Sequence, residues 1–223
     1  MTSFSFDVVA FDLDGTLADT APDLTASLNH ALRALGRDAV PGESVRHMVG
    51  HGARSLLEKG LAATGGSSLE LVDRGFPIFL DYYAAHIADE SRPYPGVEVA
   101  MDALAARGVT LAVCTNKLES LARDLIGALG WTDRFAAIVG GDTLPVRKPD
   151  PAPLFAAISA AGGGRAAFVG DSITDTDTAR AAAIPCVAVS FGFSDRPPEQ
   201  LGAGILIDHF DDLIPALEKL GSR

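Results

Sequence analysis

The sequence is poor in cysteine, in early positive charge and in long apolar runs. Its two cysteines, Cys114 and Cys186, each lie inside an apolar, strand-like segment, which favours buried, reduced thiols over a disulfide or a metal-binding pair. No Lys or Arg precedes Arg33, so the basic start of a secretory signal is missing. No apolar stretch approaches the ~20 residues that span a bilayer. We therefore expect a cytoplasmic protein with no membrane partner.

Positive charge is scarce overall, because 18 Lys and Arg face 29 Asp and Glu, a formal net charge of −11. This balance disfavours nucleic acid or an anionic membrane as the main partner. The 223 residues are 48% hydrophobic, which is enough to bury a substantial core. A local cation-binding pocket remains compatible with such a charge.

Short apolar runs alternate with helical patterns along most of the chain. Because these runs are apolar throughout, they indicate parallel strands covered on both faces. The sequence therefore predicts an α/β fold, a Rossmann-like parallel sheet core with helices on both faces. Strands are predicted at 6–12, 109–114, 135–139, 166–170, 186–190 and 204–207, and helices at 97–107, 118–129, 151–161, 175–183 and 211–220.

Residues 18–89 break this alternation and read as helix throughout. The first helix opens with Thr20 as an N-cap candidate and carries Leu24, Leu28 and Leu32 on one stripe. Further helices are predicted near 43–49, 52–63 and 68–88. We expect a helical cap at 18–89, joined by linkers around 17–20 and 89–95 to a catalytic core formed by 1–17 and 90–223.

Polar residues follow several predicted strands at their carboxyl ends, where open parallel sheets bind ligands. The segment "VVAFDLDGT" ends a buried strand with two carboxylates, which is costly unless a cation compensates them. We expect these side chains to converge on one sheet edge and to hold a phosphoryl group between a divalent metal and an ammonium. The set comprises Asp12, Asp14, Thr115, Asn116, Lys148, Asp171 and Asp175.

Charge suggests a role for each carboxylate. Asp12 and Asp171 offer the hard oxygen ligands that Mg²⁺ prefers, and a second oxygen of Asp12 can attack phosphorus. Asp14 is placed to act as general acid and then base, or alternatively as a plain metal ligand. Asp175 would hold a metal-bound water or orient Lys148.

The remaining residues of the set are suited to binding phosphoryl oxygens. Thr115 and Asn116 can donate hydrogen bonds to them, and Lys148 neutralises charge on both the phosphate and Asp12. Each motif alone also has an ordinary interpretation: a D-x-D pair is commonly a surface turn, and "GDSITD" can simply start a helix capped by Asp171 or Ser172. Because all these motifs follow predicted strands, we favour a catalytic interpretation over these ordinary structural ones.

Four motifs, "DLDGT", "TNK", "RKPDP" and "GDSITD", resemble the signature motifs of the haloacid dehalogenase-like hydrolase superfamily. The helical segment resembles that family's C1-type cap. The resemblance implies Asp12 as nucleophile, Asp14 as acid and base, and the phosphoryl group on Thr115, Asn116 and Lys148. It also implies Mg²⁺ on the side chains of Asp12 and Asp171 and on the main-chain carbonyl of Asp14.

Within that superfamily, segments such as "VGHGARSLL", "FLDYYAAH" and "GGDTLPVRKPDPAPL" are similar to the bacterial phosphoglycolate phosphatases. This implies hydrolysis of a small phosphomonoester, 2-phosphoglycolate, through an aspartyl-phosphate. One departure is Ala183, which stands where the family commonly has a glycine. An alanine there would cost about 1 kcal/mol if φ is positive, or the helix would end differently.

The cap offers candidate contacts for the carboxylate of such a substrate. Gly50 and Gly52 flank His51 just before a predicted helix, and Arg54 lies in its first turn, where anions bind. We therefore predict His51 and Arg54 as substrate-binding residues. The alternative is a loop histidine and an arginine on the protein surface.

Other functions fit parts of the sequence. Hexose-phosphate mutases of this superfamily carry a histidine where this chain has Leu24, dehalogenases do not need Asp14, and a phosphonate hydrolase would need a Schiff-base lysine where only Lys59 is available. A receiver-like switch also accepts phosphate on aspartate, but it lacks the D-x-D pair and needs no helical lid. A catalytically silent binding protein is a further alternative. We expect a monomer or homodimer acting on a small-molecule phosphate ester.

Overall fold

The computed structural model describes residues 4–194 and 196–222, so the predicted outer limits at residues 1 and 223 lie outside the described residues. Strands are β1 (Val8–Phe11), β2 (Ala18–Asp19), β3 (Arg92–Pro93), β4 (Thr110–Cys114), β5 (Ala137–Val139), β6 (Ala166–Gly170), β7 (Cys186–Val189) and β8 (Ile205–Ile207). α-Helices are α1 (Ala21–Ala34), α2 (Gly42–Arg46), α3 (Ala53–Ala63), α4 (Leu69–Ala85), α5 (Val97–Ala105), α6 (Glu119–Ala128), α7 (Ala152–Ala160), α8 (Ile173–Ala181) and α9 (Leu213–Gly221). Two 3₁₀ turns lie at Pro198–Gln200 and Phe210–Asp212.

A parallel six-stranded sheet forms the centre, in the order β5-β4-β1-β6-β7-β8. Every residue of β1 is buried. Alternate side chains of a strand point to opposite faces, so Val9 and Phe11 enter one apolar layer and Val8 and Ala10 the other. The predicted α/β fold is confirmed, and β1 lies in the middle of the sheet.

Helices cover both faces of this sheet, because each apolar layer receives side chains from different helices. Met101 of α5, Leu125 of α6 and Leu217 of α9 pack on the face of Val9 and Phe11. Leu154 of α7 and Ala179 of α8 pack on the opposite face. Burial of each large apolar side chain contributes about 1.5–3 kcal/mol.

The helical insertion consists of α1–α4 and lies between β2 and β3 in the sequence. It has its own apolar core. Leu28 and Leu32 of α1 pack with Leu57 of α3 and Phe79 of α4, and Leu121 of α6 joins them from the α/β part. Within the described residues, no helix has the length and apolar character needed to cross a membrane.

The two connections to the insertion lie side by side, which the sequence did not predict. β2 and β3 pair as antiparallel strands, with Asp19 opposite Arg92. The buried carboxylate of Asp23, in the first turn of α1, accepts hydrogen bonds from the backbone N–H groups of Glu90 and Ser91 and from the Ser91 hydroxyl. Strands of two residues are too short to show a periodicity.

Helix α8 begins earlier than the sequence predicts. At its C-terminal end, the expectation about Ala183 is confirmed. The helix begins at Ile173 rather than 175, because Ser172 caps it and forms a capping box with Asp175. At the other end Ala183 has φ +54°, the one positive-φ residue other than glycine among the described residues. The alanine therefore occupies the left-handed conformation that favours glycine.

Candidate active site

Buried polar side chains meet at the carboxyl ends of β1, β4 and β6, as expected for ligand sites of open parallel sheets. Asp12 follows β1, Thr115 follows β4 and Asp171 follows β6. The loop between β5 and α7 brings Lys148 to the same place, and it is only 3% exposed. The structure thus brings residues from four separate segments to one edge of the sheet.

Three carboxylates form a tight cluster at this edge. One oxygen from each of Asp12, Asp171 and Asp175 lies within 4.8 Å of the others, and all three residues are buried. Burial, opposed by the Lys148 ammonium, raises the pKa of Asp12 to about 6. Burial, together with the charges of Asp175 and Asp12, raises the pKa of Asp171 well above its usual range. Such crowding of negative charge favours a bound cation.

The donor atoms of Asp12 and Asp171 fit a hard divalent cation. Asp12 Oδ1 is buried and accepts no hydrogen bond; Lys148 Nζ lies 3.0 Å away, but outside hydrogen-bonding geometry. Asp171 is held in place by the Thr16 hydroxyl, at 2.8 Å, and by the Phe193 N–H, at 2.6 Å. Oxygen ligands of this kind suit Mg²⁺.

Glycine at position 15 keeps space open around Asp171. Gly15 has φ +83°, and a Cβ there would lie 2.4 Å from Asp171 Oδ2. Any larger residue would therefore strain the backbone and displace this carboxylate.

Asp175 is occupied by protein donors on both oxygens. Its Oδ1 accepts a hydrogen bond from Lys148 Nζ at 2.6 Å, and its Oδ2 accepts from the Ser172 hydroxyl at 2.6 Å. The hydrogen bond from Lys148 supports the interpretation that Asp175 orients this lysine, while the place of Asp175 in the carboxylate cluster is compatible with a metal-bound water as well. The helix-start interpretation of "GDSITD" is correct at the same time, since Ser172 caps α8.

Asp14 lines the same cavity as Asp12, but its carboxylate lies outside the cluster of three. Asp14 Oδ1 accepts hydrogen bonds from Lys117 Nζ at 2.9 Å and from the Thr20 hydroxyl at 2.7 Å. Thr20 is the N-cap residue of α1, as expected, but its hydroxyl donates to Asp14 and makes no capping hydrogen bond to the helix. A plain metal-ligand role for the Asp14 side chain finds no support in these contacts.

Lys117 is a residue of the site that sequence reasoning missed. Its side chain is buried, and its ammonium donates hydrogen bonds both to Asp14 and to the Tyr83 hydroxyl of α4. Burial would lower the pKa of Lys117, but Asp14 and Tyr83 outweigh it and raise the pKa. The position of Lys117 in the "TNK" motif could have indicated a role in the site. Its contact with Tyr83 of the helical insertion, however, is visible only in the folded structure.

Thr115 and Asn116 lie beside Asp12, as expected, with different partners. Thr115 lies close enough to Asp12 to oppose slightly the rise in its pKa that burial causes. The Asn116 amide donates to the carbonyls of Gly50, at 3.0 Å, and Lys148, at 3.1 Å. Asn116 therefore connects the loop before α3 to the segment that carries Lys148.

The structure does not bring His51 and Arg54 to the sheet edge. His51 is exposed in the loop before α3. Arg54 is paired with Asp73 of α4, and its guanidinium lies 5.6 Å from the ring centroid of Phe76. Neither residue lines the cavity described next.

A cavity of about 30 Å³ lies between the sheet edge and the helical insertion. Such a volume holds roughly two water molecules. Its polar wall comes from the sheet edge and its apolar wall mainly from the insertion. The lining residues are Asp12, Asp14, Leu24, Val49, Gly50, Gly52, Ala53, Leu56, Tyr83, Thr115, Asn116, Lys117, Leu118 and Leu121.

Comparison with known proteins identifies the family. The model for "Haloacid dehalogenase-like hydrolase" matches residues 9–189. A phosphoglycolate phosphatase of Mesorhizobium japonicum is 50% identical over 210 residues, covering 92% of each chain. One of Agrobacterium fabrum is 46% identical, covering 96% of this chain and 93% of its own.

Solved structures agree with the sequence matches. The crystal structure of a predicted phosphoglycolate phosphatase from Haemophilus somnus 129pt has a TM-score of 0.89 at 30% identity, covering 95% of this chain and 97% of that one. The family and the hydrolase class predicted from the motifs are both confirmed, and the chain belongs to the haloacid dehalogenase-like hydrolase family.

Proposed function

We propose that the protein hydrolyses a small phosphomonoester, 2-phosphoglycolate, to glycolate and phosphate in a Mg²⁺-dependent reaction. One observation carries the proposal: the buried Asp12 carboxylate, one oxygen of which accepts no hydrogen bond, lies beside Lys148 and Asp171, and Asp12 lines the cavity. The names of the relatives support the choice of substrate.

The reaction proceeds in two displacements at phosphorus. An oxygen of Asp12 forms a bond to phosphorus while the ester P–O bond breaks, and Asp14 gives its proton to the departing alkoxide. Asp14 then takes a proton from water, whose oxygen attacks phosphorus and breaks the bond to Asp12. Phosphate leaves, and Asp12 and Asp14 return to their starting states.

The buried charges at the sheet edge stabilise the phosphoryl group during transfer. Lys148, held by Asp175, neutralises negative charge on the phosphoryl oxygens and on Asp12, and Thr115 donates a hydrogen bond. Asp12 and Asp171 would hold Mg²⁺ through their side chains, and Asp14 through its main-chain carbonyl. When bound, the ion supplies further positive charge to the phosphoryl oxygens.

The cavity supports a substrate with a small leaving group. About 30 Å³ between the helical insertion and the sheet edge leaves no room for a sugar ring. The helical insertion acts as the cap of the site, because closure over Asp12 excludes bulk water during transfer.

Phosphate release tests this proposal directly. Purified protein with Mg²⁺ and 2-phosphoglycolate should release many phosphates per molecule, and a chelator should stop the release. Asp12→Asn should lower kcat by at least ~10³-fold, because an amide is neither a nucleophile nor an anionic ligand. Asp177→Asn, a change of the same kind on the surface, is the matched control.

Two outcomes would contradict the proposal. Release of a single phosphate per protein molecule would favour the receiver-like switch, which keeps its phosphoryl group. Full turnover by Asp12→Asn would remove the aspartyl-phosphate from the mechanism. A panel of phosphate esters, compared by kcat/KM, checks the substrate itself.

A further inference from the structure

Lys117 lies at the boundary between the sheet edge and the helical insertion. It follows Thr115 and Asn116 after β4, and its side chain is only 4% exposed. The ammonium contacts Asp14 from the α/β part and the hydroxyl of Tyr83 from α4, and it lies 4.4 Å from the Tyr83 ring centroid. A buried ammonium in such a place is strongly attracted to any further anion.

Within the described residues, Lys117 is the one cationic side chain that lines the cavity. The opposite wall is apolar, with Leu24, Leu56 and Leu121 among its members. A carboxylate bound in this space needs a positive partner, because burial of an unpaired anion against leucine side chains is unfavourable. Among the lining side chains of the described residues, Lys117 supplies that charge. The chemistry of the cavity therefore matches a ligand with a single small anionic group next to its phosphoryl group.

We propose that Lys117 binds the carboxylate of the leaving group and so distinguishes phosphorylated acids from neutral phosphate esters. This inference rests on the phosphatase function proposed above and adds a specificity-determining residue to it. The Tyr83 hydroxyl is the positioning group, because it holds the ammonium from the side of the helical insertion.

The exchange of partners at Lys117 has a consequence for Asp14. In the structure, Lys117 and the Thr20 hydroxyl both occupy Asp14 Oδ1. A substrate carboxylate that accepts hydrogen bonds from the Lys117 ammonium competes with Asp14 for the same three donors. The acidic substrate therefore loosens the contact between Lys117 and Asp14, whereas a neutral ester leaves this contact in place.

Arg54 is the competing candidate, and its position argues against it. Its guanidinium is paired with Asp73 on an exposed part of the helical insertion, and its side chain is 43% exposed. An arginine in this setting would have to leave both Asp73 and the Phe76 ring to reach the cavity.

Two substrates of nearly the same shape, one acidic and one neutral, test the proposal. The first is 2-phosphoglycolate, and the second is its amide, which has nearly the same shape and no carboxylate charge. The measured quantity is the preference, the ratio of kcat/KM for the acid to that for the amide, in the presence of Mg²⁺. A general loss of stability or of catalysis affects both substrates and leaves this ratio unchanged.

Lys117→Gln is the main variant, since glutamine keeps a donor for Asp14 and Tyr83 but has no charge. We expect its preference to fall roughly 10- to 100-fold relative to the wild type, as for loss of a hydrogen bond to a charged group. Lys219→Gln makes the same change on the exposed surface of α9 and should leave the preference unchanged. Lys117→Met provides a second uncharged variant should Lys117→Gln be insoluble.

The outcomes separate this inference from the proposed function. If the wild type hydrolyses neither substrate, the phosphatase proposal fails. If it hydrolyses both with equal kcat/KM, or if Lys117→Gln keeps the full preference, the phosphatase proposal stands and the role of Lys117 is overturned. A loss of preference in Arg54→Met but not in Lys117→Gln would place the carboxylate on Arg54 instead.

Discussion

Two buried lysines lie at the same site, but their side chains contact different parts of the molecule. Lys148 contacts Asp12 and Asp175, both from the α/β part, and all three side chains are almost fully buried. Lys117 contacts Asp14 from the α/β part but also Tyr83 from the helical insertion. The first lysine therefore has its position fixed by the sheet edge alone, whereas the second depends on where the insertion lies.

This difference separates two tasks within one site. In the proposed mechanism, the charge needed for every transfer at phosphorus lies on the sheet edge, because preorganised charges need no rearrangement during reaction. Charge that selects the leaving group belongs at the boundary, where both parts of the chain take part in recognition. We expect substitutions at the two lysines to differ in kind as well as in size.

Substitution of Lys148 should have the largest effect. Lys148→Met removes the ammonium that neutralises Asp12 and the phosphoryl group, so kcat should fall by about 10²–10³-fold for every phosphate ester. Steady-state kinetics with 2-phosphoglycolate and its amide would show equal losses. A loss of activity confined to 2-phosphoglycolate would contradict the proposed difference between Lys148 and Lys117.

The same substitution leaves Asp12 and Asp175 buried without their shared counterion, so it should also destabilise the protein. Thermal unfolding of Lys148→Met, with Lys219→Met as the surface control, would measure this cost. Unchanged unfolding temperatures in both would contradict it.

Removal of the Tyr83 hydroxyl should have an intermediate effect. Tyr83→Phe keeps the buried ring but loses one hydrogen bond to Lys117, worth about 1 kcal/mol, so KM for 2-phosphoglycolate should rise about fivefold. We expect kcat to change little, because in this proposal Tyr83 acts only by positioning Lys117. The neighbouring Tyr82, stacked between His30 and His86, supplies the control Tyr82→Phe. An equal rise in KM for both variants would show that Lys117 does not depend on this hydroxyl.

A substitution away from both lysines should have the smallest effect. Ala183→Gly relieves a positive φ at the end of α8 and should raise the free energy of unfolding by roughly 1 kcal/mol, or about 2–4 °C in Tm. Urea unfolding measures the change, and kcat/KM should equal that of the wild type. Lower stability of the glycine variant would indicate that the unfolded-chain entropy dominates.

Much of the fold was predictable from the sequence, because buried parallel strands are apolar throughout and their carboxyl ends share an edge. Asp12, Thr115 and Asp171 were placed together on that basis alone. Long side chains were harder, since their direction is set by distant partners. The role of Lys117 was not predicted, because its partner Tyr83 lies 34 positions earlier in the chain. Arg54 was expected at the cavity, but its side chain forms an ion pair with Asp73 instead.

Short elements were the other source of error. β2 and β3 have two residues each, so they carry no readable alternation, and their pairing joins segments more than 70 positions apart. Thr20 is the N-cap residue that its type predicts, but its hydroxyl donates to the half-buried carboxylate of Asp14 rather than capping the helix. For β2 and β3, a contact between distant segments therefore decides a structure that the local sequence does not indicate.

The pairing of β2 with β3 has a consequence for how such enzymes diversify. Because the chain departs and returns through neighbouring strands, with Asp23 tying α1 to Glu90 and Ser91, the ends of the inserted helices are already joined in space. A different insert, or a tight turn, can be grafted between the same two strands without altering the order of the central sheet. We therefore expect that exchange of this one insertion can change substrate preference, while the residues that follow β1, β4 and β6 stay where they are.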